Sequence, residues 1–395
     1  MKVQYTLPLA VASLAVAQGS GQTSLADALA SKNDTLSALN GLLQSQPDLV
    51  ETLTKLENIT ILAPSNEALE SFLNNTEVAA LVAADPSVVP ALLTYHVLNG
   101  TYYASNVTDT AAFIPTLLTN SSYTNVTGGQ VVSAIAEGDT VSFYSALKHQ
   151  SNVTEANLNF TGGTIHIINR VLAIPSNVSS TAVAADLRAL VGAVTKADLA
   201  STLDGLKDVT IFAPYDEAFA AIASATGDLS EEQLSKILQY HVVQGTVGYS
   251  SDLSNTTLKT VEGKDVRITV GDDGVFVNSA KVVIPDVLVA NGVVHVIDGV
   301  LNPENAEATP NPSTTAPAFS GASTASGGAV PFTSGVSSVT EAATGLTPAQ
   351  SSSGAGGSGG GSVSESESTE AGPRATAAVA MGVLLGGAAV ALNNF

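Results

Sequence analysis

Four of the five histidines, His96, His166, His241 and His295, stand at matching places in two halves of the chain, in blocks that also carry acids such as Glu67 and Glu217. An imidazole beside a carboxylate is the usual apparatus of general acid-base catalysis, provided the groups converge in a cleft. The rest of the apparatus is missing. There is no nucleophile elbow, no H-E-x-x-H zinc pair, no phosphate-cradling glycine loop and no cysteine. What two diverged copies share is most simply what each copy needs to fold. His166 and His295, with His96 and His241, are therefore expected as buried imidazoles bonded to backbone or to a hydroxyl, in a chain that is not an enzyme. The competing expectation, a carbohydrate-active enzyme, would make the same histidines catalytic. No metal or cofactor is expected, and turn chemistry accounts for Asp272 and Asp273 without a calcium ion.

The elements that must hold these residues are legible as three repeated blocks. NITILAPSNEAL, Asn58 to Leu69, and DVTIFAPYDEAF, Asp208 to Phe219, each read as a β-branched strand ending at a proline corner, Pro64 or Pro214, followed by a helix start. TYHVLNGT, Thr94 to Thr101, and QYHVVQGT, Gln239 to Thr246, put a Tyr-His pair where a helix hands over to a strand. In the second half Ser230 and Gln233 form a capping-box pattern upstream of that pair. GGTIHIINRVL, Gly162 to Leu172, and NGVVHVIDGVL, Asn291 to Leu301, read as buried strands entered through a turn. His96 and His166 are 70 residues apart while His241 and His295 are 54 apart, so the first half carries an insertion. The second half has VRITV, a Gly271-Asp272-Asp273-Gly274 turn and VFVNSAKVVI, a β-hairpin. Ahead of all this, leucines from Leu25 to Leu56 at helical spacing predict two helices broken near Pro47.

The rest of the 395-residue sequence speaks of address rather than chemistry. A formal charge of −21 from only 12% charged residues leaves no basic stripe for nucleic acid and none for a membrane surface. Residues 1–17 form a secretory signal peptide: Lys2, an apolar run and Ala15-Val16-Ala17 before Gln18. N-glycosylation sequons head at Asn33, Asn58, Asn74, Asn99, Asn106, Asn120, Asn125, Asn152, Asn159, Asn177 and Asn255, ten of the eleven before residue 180. Residues 304–374 are Ser, Thr, Ala, Gly and Pro-rich, the pattern of a disordered, O-glycosylated stalk. Residues 375–395 are an apolar tail behind a small-residue spacer, the signal for a glycosylphosphatidylinositol (GPI) anchor, in which the tail is removed and Ser364 or Ser366 takes the lipid.

In this order, T-I-[LF]-A-P-x-[ND]-E-A, Y-H-V with G-T, and G-x-x-H-[IV]-I-[ND]-x-V-L resemble the fasciclin (FAS1) domain, and the set occurs twice. The resemblance implies an α+β fold: two tandem units at 23–176 and 178–303, each a β-sandwich or wedge of about seven strands with helices at one edge. It also implies a class of extracellular adhesion and matrix proteins, among them fasciclin-like proteins of fungi and plants. For this chain that means a glycoprotein on the outer face of the plasma membrane or in the wall, with a purely structural wall protein that has no specific ligand as the alternative to an adhesive one. Its expected partners are cell-surface or matrix proteins or polysaccharides, bound weakly and multivalently, with homophilic contacts included. In animal members a Tyr-His segment and a segment before the last His motif are credited with integrin binding. Tyr240 and His241 fit the former and Pro285, Asp286, Val287 and Leu288 the latter, with Asp286 in a surface loop leading into the strand. Tyr95 and His96 match in the first unit, but Asn157 replaces the aspartate, and Ile284 replaces the leading polar residue in the second.

Overall fold

The computed structural model describes residues 23–339 except 228, 307, 311–317, 326 and 327. The signal peptide, the tail and Ser364 and Ser366 lie outside the described residues.

The first unit opens with α1 (Leu25–Ala30), α2 (Asn33–Gln44) and α3 (Pro47–Lys55). That is three helices where leucine spacing predicted two, because the first closes at Ser31 and a new one starts at Asn33 before any proline intervenes. The chain then forms β1 (Ile59–Pro64), α4 (Asn66–Leu73), α5 (Thr76–Ala84), α6 (Val88–Tyr95) and β2 (Val97–Asn99). Five strands complete the unit: β3 (Ala112–Pro115), β4 (Val131–Glu137), β5 (Thr140–Tyr144), β6 (Gln150–Phe160) and β7 (Gly163–Ile168). The second unit repeats the plan with α7 (Val178–Ala184), α8 (Arg188–Lys196), α9 (Ala200–Gly205), β8 (Val209–Pro214), α10 (Asp216–Ala221), α11 (Ala223–Thr226), α12 (Glu231–Tyr240) and β9 (Val242–Gln244). Its strands end with β10 (Thr256–Lys259), β11 (Asp265–Gly271), β12 (Gly274–Val277), β13 (Ala280–Val289) and β14 (Gly292–Ile297).

Both sheets have seven strands in the same order, β2-β1-β7-β6-β5-β4-β3 and its counterpart β9-β8-β14-β13-β12-β11-β10. Each curls until its edges meet, through single bridges Leu98–Thr116 and Val243–Thr260, which produces the wedge and closes edges that would otherwise invite pairing. At the centre β1 runs parallel to β7, and β8 to β14. All six residues of β1, β8 and β14 are buried, as strands covered on both faces must be. The central pairs begin at Gly163 and Gly292, where a Cβ would sit 1.8 Å from the Ile59 carbonyl oxygen or 1.9 Å from that of Val209. Only glycine fits there.

The globular pattern does not end at Pro303. Residues 318–325 and 328–339 lie as a strap along the helical edge of the second unit. Phe332 meets the Phe219 ring edge-on at 6.0 Å, and Lys196 stands 5.5 Å over the Phe332 ring. The strap is further pinned by the Ser323 N–H on Ser224 Oγ, the Ser224 N–H on the Ser323 carbonyl, and Asn305 Nδ2 on the Ala318 carbonyl. The stalk expected over residues 304–374 is corrected for residues 318–325 and 328–339, where two phenylalanines, Phe319 and Phe332, supply apolar anchors that composition averaged over the segment conceals; residues 340–374 lie outside the described residues.

Candidate functional site

The four repeated histidines are buried, at 4% exposure or less. His96 Nδ1–H donates to the Leu92 carbonyl at 2.8 Å, and its Nε2 accepts the Leu172 N–H at 2.9 Å. His241 does the same with the Ile237 carbonyl and the Leu301 N–H, at 2.7 and 2.9 Å. These bonds fix the neutral tautomer, and burial lowers both pKa values to about 4. His166 Nε2–H donates to the Tyr102 carbonyl at 2.7 Å and its Nδ1 accepts the Asn157 N–H at 3.2 Å. His295 pairs identically with the Gly248 carbonyl and the Asp286 N–H, at 2.8 and 3.3 Å. Burial lowers both of these pKa values too, against the pull of Asp286 on His295. Every ring nitrogen of the four is spent on backbone.

The segments credited with partner contact lie inside as well. Tyr95 and Tyr240 are fully buried, their hydroxyls donating to the Val131 and Asp265 carbonyls at 2.9 and 2.8 Å. Val287 and Leu288 are each 1% exposed. Asp286 is corrected from a surface loop to a bulge within β13, where the register slips between Ile284 and Val287. Its φ of 62° is a left-handed conformation that Asp and Asn tolerate best, and Asn157 at the matching bulge of β6 has φ 63°. The Asx side chain is therefore a structural requirement in both units. Asn157 Oδ1 accepts the Ala104 N–H at 3.0 Å; Asp286 accepts the Ser250 N–H at 2.8 Å and, very closely, the Ser250 hydroxyl.

What distinguishes Asp286 is its neighbour from the other unit. A tight turn at Ala146–Lys148, with Leu147 and Lys148 both at positive φ, presses against β13. Leu147 is buried in the core of the second unit, and Lys148 Nζ donates to the Pro285 carbonyl at 2.9 Å beside the Asp286 charge. Around this plug the units are joined repeatedly. Phe113 and Tyr249 stack at 4.1 Å, Gln130 Nε2 donates to the Val289 carbonyl at 3.1 Å, and Thr127 donates through N–H and hydroxyl to Asp208, both at 2.6 Å. Asn125 Nδ2 donates to the Leu206 carbonyl at 2.9 Å. That nitrogen is also the attachment atom of the Asn125 sequon, and a glycan on it would leave one N–H for the bond. None of Leu147, Lys148 or Gln130 carries a sequence signature, since nothing local marks a residue as one that reaches across to another unit.

Beside the plug the junction opens into a cleft of about 760 Å³, its floor on β4, β5 and β6 and one wall formed by Asp286 and Leu288. Glu137 on this floor accepts from the Tyr144 hydroxyl at 2.8 Å and from Gln150 Nε2 at 2.7 Å. Tyr144 is thereby pushed up to about 12, by burial first and the Glu137 bond second. Among the described residues no cluster of three or more His, Asp and Glu is placed to hold a metal ion.

Two wedges of one topology, repeated in tandem and sharing an internal histidine frame, define the class. The fasciclin domain family matches residues 34–175 and 185–303, and the chain belongs to it. It is 34% identical over 281 residues to the fasciclin-like arabinogalactan protein elcF of Phaeosphaeria nodorum, spanning 71% of this chain and 88% of that one. The fasciclin-like arabinogalactan protein CTB11 of Cercospora beticola is 33% identical over 75% of this chain and 80% of its own length. A fasciclin-like arabinogalactan protein of Arthroderma benhamiae is 34% identical over 70% of this chain, which spans 66% of that protein.

Proposed function

We propose that this chain is a GPI-anchored glycoprotein of the cell surface or wall that adheres or organises matrix through weak, multivalent contacts with proteins or polysaccharides. The observation that carries the reading is the junction: a buried Leu147 plug, an aromatic stack and cross-unit hydrogen bonds make the tandem one presenting body. A lipid-held pair of fixed geometry favours avidity over single-site affinity. The sequons of the first unit, the names of the fungal relatives and the apolar tail support placement outside the cell. A role without turnover is supported by the histidines, whose nitrogens are all committed to backbone. Contact with a partner falls to outward faces of the tandem, since Tyr95, His96, Tyr240, His241, Val287 and Leu288 are internal.

The test is adhesion of cells that display the full chain, before and after treatment with a phosphatidylinositol-specific phospholipase C. Release of the protein with matching loss of adhesion is expected. Adhesion that persists after complete release sinks the adhesive assignment, and protein that stays cell-bound sinks the anchor. His295→Ala separates the enzyme reading: it should lower the melting temperature, whereas a catalytic histidine would leave stability in place and remove turnover of wall polymers.

A further inference from the structure

We propose that the cleft beside the junction is a saccharide subsite that takes a sugar acid, with a uronate carboxylate on Arg170 and hydroxyls on the polar floor. The proposal rests on the matrix-binding reading and gives it a place and a ligand class. At about 760 Å³ the cleft lies within the range of small-ligand sites and admits a short oligosaccharide. Its floor carries Gln150, Asn152 and Asn169: Gln150 Nε2 is spent on Glu137 and Ser142 and leaves Oε1 to accept, while Asn152 and Asn169, whose Oδ1 atoms already accept from the Ser142 hydroxyl and the Asn152 N–H, leave their Nδ2 groups to donate to sugar hydroxyls. Tyr144 adds a ring beside them, held in place by its bond to Glu137.

The charges select the sugar. Lys148 and Arg170 face Glu137 and Asp286 around the cleft, so it is balanced overall, inside a chain of net charge −21. Phosphate-rich or nucleic-acid ligands are disfavoured by that balance. Three of the four charges are already engaged. Asp286 is held by Ser250, Glu137 by Tyr144 and Gln150, and Lys148 by the Pro285 carbonyl. Arg170 is exposed and makes no hydrogen bond or ion pair among the described residues, while its charge reaches His149 and depresses it after burial has done so. A guanidinium with an open fork at the mouth of an amide-lined cleft is suited to one planar carboxylate. Asn152 heads a sequon, so a glycan attached there would stand at the cleft and compete for its space.

Calorimetric titration of the full secreted chain with trigalacturonate, and with neutral cellotriose, tests the site. Trigalacturonate should bind, cellotriose should bind at least about tenfold more weakly, and Arg170→Ala should weaken trigalacturonate by about tenfold or more. Thr154→Ala removes the sequon and keeps Asn152. Binding gained only in Thr154→Ala supports the subsite and shows that a glycan on Asn152 covers it in the native chain. No binding by either form, an unchanged Arg170→Ala, or equal affinity for cellotriose overturns the proposal. Adhesion of the wild-type chain measured beside the titration keeps the two readings apart: adhesion with no uronate binding removes the subsite alone, and uronate binding without adhesion removes the adhesive role alone.

Discussion

The two units share a strand order and four histidine positions, and they differ in what their outer surfaces touch. In the first unit Asn157 occupies the β6 bulge and bonds to Ala104 within its own unit. In the second, Asp286 occupies the same bulge, holds Ser250 and sits against Lys148 from the first. Likewise the strap crosses α8 of the second unit at Gly192, where a Cβ would lie 1.8 Å from the Phe332 carbonyl oxygen, whereas a Cβ at Gly41, the equivalent place on α2, meets nothing within 4 Å. The repeated positions therefore report the frame, and the differences report how the frame is docked and covered.

The largest effect expected is at the frame itself. Gly163→Ala and Gly292→Ala each drive a methyl into the backbone of the parallel partner strand, and each should cost more than about 4 kcal/mol. Circular dichroism of the two variants should show comparable losses of folded protein. A Gly163→Ala chain that melts like wild type while Gly292→Ala unfolds would break the equivalence.

Acid should act on both units alike. His96 and His241 titrate near 4 when folded and near 6.5 when unfolded, so the unfolded chain binds the proton first. Their contribution is complete above pH 6.5 and is lost as pH falls toward 4, by about 3 kcal/mol for each histidine. Thermal melts from pH 7 to pH 4 should fall through that window. In His96→Gln and His241→Gln, each in its own unit, the fall should be shallower by similar amounts.

The junction residue separates the units next. Asp286→Asn keeps the left-handed backbone but gives up the charged bonds to Ser250 and the attraction of Lys148, at a cost of about 2 kcal/mol. Asn157→Asp, the reciprocal change, keeps its acceptor for Ala104 and should stay within about 0.5 kcal/mol of wild type. Chemical-denaturation midpoints measure both. Equal effects would mean that Lys148 and Ser250 do not distinguish the two bulges.

Much of this frame was legible in the sequence because it is written twice: the proline-ended strands, the Tyr-His handover and the G-x-x-H strand each recur with their spacing. The two Asp-Asp residues between Gly271 and Gly274 likewise sit in the turn of a hairpin. The location of Asp286 was not legible, since a bulge that turns a side chain inward differs from a loop only by a register slip of the partner strand. The junction was hidden for a related reason. Leu147 reads as an ordinary apolar residue until the second unit is placed over it, and Asn125 reads only as a sequon until its amide is seen to reach the Leu206 carbonyl of the other unit. The strap was masked by its composition, in which two phenylalanines are diluted by small residues.

The strap yields the smallest effect and the clearest asymmetry. Phe332 is half-buried, so Phe332→Ala should cost on the order of 1–2 kcal/mol, less than the 3–5 kcal/mol of a fully buried phenylalanine. Gly192→Ala should act by another route with the same outcome: its methyl cannot coexist with the Phe332 carbonyl, so the strap lifts while α8, an α-helix that gains from alanine, remains. Gly41→Ala has no strap to displace and should be neutral to slightly stabilising. Hydrogen exchange on the full chain reads all three at once. Amides of Ser323 and Ser224, which the strap protects by pairing, should exchange faster in the first two variants and unchanged in the third. Faster exchange at α2 in Gly192→Ala would mean that the strap stabilises the tandem as a whole, and the division of labour between the two helical edges would fail.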